Sequence, residues 1–311
     1  MRLLRTVHPL FLVTVSLALS VLAQNAKPAT DTEASLQHGV NLAEKGRCEE
    51  ALPILRRSLP RTSNRELKYK GAILNAQCAM SLGQVNATLD ALGSLNRDFP
   101  NDPQVLYITA HFCSQLAEGA AEKLARNAPT SYQAQELDAE AFESHGNWDK
   151  ATATYKKILE QYPKLPGIHY RLGRIILSQP ATATWVDEAK KEFEAELKID
   201  PSSAPAEFML GDLARQQQQW DEAVNHYSRA SERDAGFLEA YLGLGMSLNA
   251  AGHYSDAILP LEKYTKAQPD DPAGHYQLAL AYARSGRNAE STKELEIQRQ
   301  LDQKVNRDQK P

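Results

Sequence analysis

The 311-residue sequence predicts an all-α array of about eight stacked helix-turn-helix units, and three observations carry that expectation. Between Ala204 and Asp271 one helical hairpin is written twice: Gly211 and Gly245, Ala223 and Ala257, and Ala235 and Pro269 each lie 34 positions apart. A fixed period of that size marks stacked helix pairs whose core grows along one axis. Alanine and leucine dominate the apolar set while only 7% of residues are aromatic, which favours helix over sheet. Glycine also recurs in mid-helix, where it costs stability unless two helices approach closely there.

In chain order, Arg2 and Arg5 precede an apolar run from Leu10 to Leu22, and Val21, Leu22 and Ala23 give the small-x-small pattern of a peptidase site. The run is shorter than the roughly 20 apolar residues of a membrane helix, so residues 1–23 read as a cleaved secretory signal, with a retained anchor as the alternative. No cysteine near residue 24 offers a lipid site. The expected setting is the periplasm or the extracellular space. The formal charge of −4 is spread along the chain and gives no phosphate-tracking surface, so nucleic acid is not an expected partner. Nor is membrane insertion expected once the signal is removed, since no second apolar stretch is long enough.

Residues 24–33 read as a polar linker. The array then occupies 34–298, in units near 34–66, 67–102, 103–131, 132–165, 166–203, 204–237, 238–271 and 272–298. Pro60 closes the first hairpin and Phe99-Pro100 the second, and Asp102-Pro103 reads as an acidic N-cap followed by proline in the first turn. The third unit is five residues short, the loss falling near Leu116–Gly119, and is expected to be shortened but helical. The fifth carries four extra residues in the turn Ser178–Thr184, where added loop length costs little. Residues 299–311 read as a polar tail that frays or caps the open end.

Within each unit the same positions recur. Tyr241, Leu244, Gly245 and Leu248 follow one pattern in the first helix, as do Phe208, Leu210 and Gly211, and Leu172, Gly173 and Ile176. The second helix opens with an aromatic, acidic residues and alanine, as in Trp220-Asp221-Glu222-Ala223, Trp148-Asp149-Lys150-Ala151 and Tyr254-Ser255-Asp256-Ala257. The acidic residues suit the helix dipole. Four residues after each alanine, on the same face, comes a large side chain: Tyr155, Phe193, Tyr227 or Leu261. Glycines 46, 83, 146, 252 and 286 supply the left-handed turn ending the first helix. Gly211 is expected to meet Ala223, and Gly245 to meet Ala257. The Gln216–Gln219 run reads as polar filler.

This pattern resembles the tetratricopeptide repeat (TPR), and the resemblance covers nearly everything after the signal. It implies a right-handed superhelical solenoid whose inner surface is lined by the first helix of each pair. One row of inner positions would be Tyr107, Glu136, Tyr170, Phe208, Leu242 and Tyr276; a second would be His111, Glu140, Arg174, Asp212, Met246 and Leu280, with Arg215 and Arg284 nearby. Apolar anchors with a few fixed charges suit an extended peptide or a partner helix. Tyrosine in the first row also has a pure packing role in this repeat. The Glu136, Glu140, Glu143 cluster reads as a solvated acidic face. Chaperone-binding members of the family hold a terminal carboxylate with lysine and asparagine, and those positions are aromatic or acidic here.

The expected function is a non-catalytic interaction scaffold with a protein or peptide partner, for example in assembly of an envelope or secretion complex. The alternative is an accessory or regulatory subunit of an exported enzyme, binding a glycan or cell-wall fragment with Tyr170 and Phe208 as stacking faces. No Walker loop, His-Glu-x-x-His pattern or Gly-x-Ser-x-Gly elbow occurs, and no cofactor or metal is implied. His169 and His275 fall at packing positions and are expected to be packed or half-buried. Three cysteines leave at least one unpaired in a monomer, and the ordinary reading for each is a small buried apolar residue. Cys48 and Cys78 are the candidate disulfide, because stacking brings those two helix ends to one edge.

Overall fold

The computed structural model describes residues 27–180 and 184–308, so the signal-like segment 1–23 lies outside the described residues, as does part of the Ser178–Thr184 turn. The described residues form fifteen α-helices and no strand. They fall into two compact units, one up to Asn127 and one from Ala128.

The first unit holds α1 (Lys27–Glu44), α2 (Cys48–Ser58), α3 (Arg65–Ser81), α4 (Val85–Asp98) and α5 (Pro103–Asn127), with a short 3-10 turn at Leu59–Arg61. The second holds five hairpins: α6 (Tyr132–Ser144) with α7 (Trp148–Gln161), α8 (Ile168–Ser178) with α9 (Trp185–Ile199), α10 (Ala204–Gln216) with α11 (Trp220–Arg233), α12 (Leu238–Ala251) with α13 (Tyr254–Ala267), and α14 (Pro272–Arg284) with α15 (Asn288–Asp308).

Two kinds of helix start alternate. Four first helices open on a side-chain cap, in which Asn64 accepts from Leu67 N, Ser131 from Ala134 N, Ser203 from Ala206 N and Asp271 from Ala273 N, whereas α8 and α12 start from Gly167 and Phe237 without one. Each cap satisfies a backbone N–H that has no partner within the helix. None of α2, α4, α7 and α11 has a side-chain cap, and apart from α9, which starts at Thr184 with φ −117°, second helices follow closely on a left-handed residue. That residue is glycine at 46, 83, 146, 252 and 286, with φ between 65° and 84°.

Gln218 takes the same place in α10–α11 at φ 59°, the one non-glycine with positive φ among the described residues. Its N–H bonds Arg215 O and that of Gln219 bonds Ala214 O, repeating the Gly46 and Arg47 bonds to Ala43 and Leu42. The glutamine run therefore contains a strained turn residue and is more than filler.

The core is built on the alanine and the large side chain four residues later. Ala151, Ala189, Ala223 and Ala257 are fully buried, as are Tyr155, Phe193, Tyr227 and Leu261. The atoms nearest to a Cβ built on the mid-helix glycines belong to the large residues. A Cβ on Gly211 would come within 2.8 Å of the Tyr227 ring, and one on Gly245 or Gly173 would strike Leu261 or Phe193. At Gly211 and Gly245, where Ala223 and Ala257 are the expected partners, the nearest group is a ring or branched chain that fills the gap left by the missing Cβ.

Three segments depart from the sequence reading. Residues 24–33 are not a linker throughout, since α1 begins at Lys27; Pro28 is tolerated because first-turn N–H groups have no partner within the helix. The third unit is no hairpin. Residues 103–127 form one helix of 25 residues, Gly119 keeps an ordinary helical backbone, and the surrounding alanine, leucine, glutamate and lysine favour helix. Seven hairpins and one single helix therefore replace the eight hairpins expected. Last, the polar tail is helical to Asp308, supported by the pairs Arg299–Glu296, Gln300–Glu296 and Gln298–Asp302.

In the first unit Cys48, opening α2, is bonded to Cys78 near the end of α3, with Cα atoms 5.0 Å apart. Cys113, on α5, is exposed and free, against its reading as a buried residue.

Two outcomes check this account. Gln218→Gly should stabilise the chain by about 0.5–1 kcal/mol in urea titration, because glycine relieves the left-handed strain at an entropic cost smaller than the gain. Cys48→Ser should lower the stability of the first unit by about 3–4 kcal/mol, the loop-entropy value for a bridge spanning 30 residues, and leave the second unit's transition in place.

Candidate functional site

The first helices of the second unit, α6, α8, α10, α12 and α14, present equivalent positions in succession. At the first of these, Glu136, Tyr170, Phe208 and Leu242 are half-buried and Tyr276 is 51% exposed. Four residues on, Glu140, Asp212, Met246 and Leu280 are half-buried and Arg174 is exposed. Tyr107, 66% exposed and stacked on His111, stands on α5 of the first unit and is described with that unit. Arg284 is exposed at the end of α14.

Packing within the unit uses part of this face. The Phe208 ring lies 5.5 Å from Tyr227 and 4.8 Å from Phe237. Tyr170 lies 5.9 Å from Phe193, with the Arg174 guanidinium over its ring. Both aromatics offered as sugar-stacking faces thus make ring contacts with neighbours and remain half-buried.

The polar groups are ordered from beneath. Tyr227, seated against Gly211 and also against Gly243 of the next hairpin, donates its hydroxyl to Asp212 at 2.6 Å and accepts from Arg215 Nε at 3.2 Å. Arg215 also reaches Asp212 at 3.3 Å. Burial and the Asp212 bond push the Tyr227 phenol well above its ordinary range, so it stays protonated as a fixed donor. Tyr155 repeats the arrangement, donating to Glu143 at 2.6 Å, and burial raises it likewise.

The acidic cluster departs from its reading as a solvated face. Arg171 of α8 pairs with Glu140 and reaches Glu143 at 3.9 Å, and all three glutamates are half-buried. Glu136 makes no ion pair among the described residues. Burial first, then the Glu140 charge, raise its pKa from the usual carboxylate value.

Two further carboxylates escaped the sequence reading. Glu196 of α9, 1% exposed, accepts from Gly167 N at 2.7 Å and Tyr170 N at 3.3 Å, capping α8 from outside its own helix. Glu207, 2% exposed, accepts from His226 at 2.6 Å and meets Arg233 at 2.5 Å and Arg229 at 3.3 Å. The signal for this group is the spacing of His226, Arg229 and Arg233, which places all three on one face of α11. His275 is buried on Glu294 and His169 half-buried on Glu192, both as packing residues. Among the described residues no group of three or more His, Cys, Asp or Glu side chains is placed to hold a metal, and no helix is long and apolar enough to cross a membrane.

The tetratricopeptide repeat model matches residues 114–166, 186–236, 208–272 and 242–296, together more than half of the sequence. The chain belongs to the tetratricopeptide repeat family.

No curated protein matches its sequence. Among solved structures, the TPR chain is similar to MamA, at 20% identity over 58% of this chain and 96% of that one, with a TM-score of 0.49. It is similar to YrrB, described as a TPR protein with an unusual peptide-binding site, at 21% identity over 58% and 92%, with a TM-score of 0.49. A double mutant of MamA from RS-1 gives 15% identity over 56% and 96% and a TM-score of 0.50, a likeness of fold. TPR proteins in general bind peptides or protein partners and are typically non-catalytic scaffolds.

Glu207 generates a pH prediction. Burial pushes its carboxyl up, but the His226 bond and the Arg229 and Arg233 charges pull it further down, to a net value below 4.5. Such a group binds its proton less readily folded than unfolded, so its stabilisation is complete above the unfolded pKa and is lost as pH falls through the folded one. Glu207→Gln should cost about 1.5–3 kcal/mol at pH 7 and flatten the acid-unfolding curve below about pH 5. Urea titrations at several pH values read both effects.

Proposed function

We propose that this TPR chain is an exported, non-catalytic scaffold that holds a peptide or partner segment on the first-helix face of residues 128–308. The observation that carries the reading is the set of side chains at one repeated position which packing leaves part-exposed: Tyr170, Phe208, Leu242 and Tyr276, with Asp212 and Arg215 held in fixed orientation beside them. Apolar anchors beside preordered charges are what peptide recognition on a helical surface requires, since ordering costs are met before binding. The non-catalytic reading is supported by the family and by the role of the perturbed groups: Tyr155, Tyr227 and Glu207 are tied into structural bonds. Export is supported by the N-terminal residues 1–23 and by the Cys48–Cys78 bond, a linkage at home in oxidising compartments.

Site-specific photo-crosslinking in the native host tests the surface. A crosslinker at Leu242 should capture a defined partner, while one at Leu259, 61% exposed on α13, should not. Equal capture from both positions, or none from Leu242, contradicts the reading. Mass spectrometry of the envelope or secreted fraction should find the chain beginning near Gln24; recovery only in the cytoplasmic fraction with residues 1–23 attached contradicts export.

A further inference from the structure

The first unit holds a groove of about 430 Å³ bordered by α2, α3 and α4, a volume that suits a small molecule. Two contacts set the register of its walls. Lys68 of α3 pairs with Asp98 of α4 at 2.8 Å, and the tight turn at 82–84 makes these helices antiparallel. Each advances about 1.5 Å per residue, so Asn75 of α3 and Asp90 of α4 share a level about 10 Å from that pair. On the other side Cys48 of α2 is bonded to Cys78 of α3, and Leu59 of α2 lies against Gly71, so α2 also runs antiparallel to α3. Arg56 therefore returns to the level of Lys68, where Arg97 stands as well.

The groove carries opposite charges that the chain does not match. Lys68 and Asp98 neutralise each other, but Arg56 and Asp90 make no ion pair among the described residues, and Arg97 bonds only the Ser94 hydroxyl, at 3.2 Å. All three are exposed, and Asp90 is too far along α4 to meet Arg97. The floor supplies a second, independent observation. Asn75 is 8% exposed, and neither atom of its amide has a hydrogen-bond partner. Its Oδ1 is enclosed while Nδ2 retains surface, and the residue lines the groove. A half-turn of the amide exchanges the two atoms, so Asn75 can present a donor or an acceptor there. A buried amide without partners is costly, and a ligand amide would relieve it.

We propose that this groove binds a free dipeptide as a zwitterion, its ammonium at Asp90, its peptide group at Asn75 and its carboxylate at Arg56 and Arg97. Two extended residues span about 7 Å, and the long arginine stems cover the rest of the distance between the two levels. A guanidinium matches a carboxylate with paired N–H bonds, which a lysine could not supply. A ligand of one sign would leave half of the groove's charge unmatched, and a reversed dipeptide would set like charges against each other. The site belongs to the first unit and does not depend on the scaffold reading of residues 128–308.

Calorimetric titration of the purified chain with alanyl-alanine, alanyl-leucine and alanyl-phenylalanine tests the proposal. At least one should bind with a Kd of about 1 mM or tighter. N-acetylation or C-terminal amidation of that dipeptide should weaken it about tenfold or more, as should Asp90→Asn and Arg97→Gln, both at exposed positions. Asn75→Ala should weaken the dipeptide about tenfold yet leave δ-aminovalerate, which has the same charge separation and no peptide group, unchanged. If Asn75→Ala fails to fold, comparing the dipeptide with δ-aminovalerate on the natural chain gives the same reading. Binding of none of the three dipeptides, or binding indifferent to Asp90→Asn and Arg97→Gln, overturns the site. Equal affinity for δ-aminovalerate and the dipeptide, or dipeptide binding unmoved in Asn75→Ala, overturns the part assigned to Asn75 and with it the choice of a dipeptide.

Discussion

The second unit depends on a side chain fitted where two helices lack a Cβ. Tyr227 shows this most fully. Its ring sits against Gly211 of its own hairpin and Gly243 of the next, so one residue closes one repeat and begins the stacking of another. Glycine inside a helix costs about 1 kcal/mol relative to alanine, and the cost is offset because no larger residue lets the ring approach. Phe193 against Gly173, Leu261 against Gly245 and Tyr264 against Gly274 are versions of the same seat.

The seat also links packing to the candidate site. With its ring fixed from both sides, Tyr227 can aim its hydroxyl only upward, at Asp212, and Arg215 closes the triangle. Tyr155 does the same for Glu143, which Arg171 approaches from the next hairpin. Charged groups on the first-helix face are therefore held by the core beneath them. The same dependence sets the pattern of exposure: side chains engaged in seats are lost to solvent, and those one turn away remain half-covered.

How much of this was legible in the sequence follows from how local each determinant is. Gly211 and Gly245, the buried alanines and the turn glycines announce the hairpins because backbone conformation and close approach restrict those positions to one or two residue types. The partner of each glycine was not legible, since spacing locates a crossing but does not say whether Ala223 or Tyr227 fills it. Residues 103–127 misled because a repeat count assumes a turn, whereas continuous helix needs only the absence of a breaker. Gln218 was missed because nothing in glutamine's chemistry signals a left-handed turn. The row positions were legible as positions, but Arg171 on Glu140 and the unpaired state of Glu136 depend on neighbouring hairpins, which periodicity does not resolve.

The central claim is that glycine and ring form one seat, and a double-mutant cycle in urea tests it most directly. Gly211→Ala should cost about 1–3 kcal/mol in the natural chain through overpacking against the ring. In a Tyr227→Ala background the ring is gone, and the same substitution should cost nothing measurable, giving a coupling of at least about 1 kcal/mol. Equal costs in both backgrounds would contradict the account.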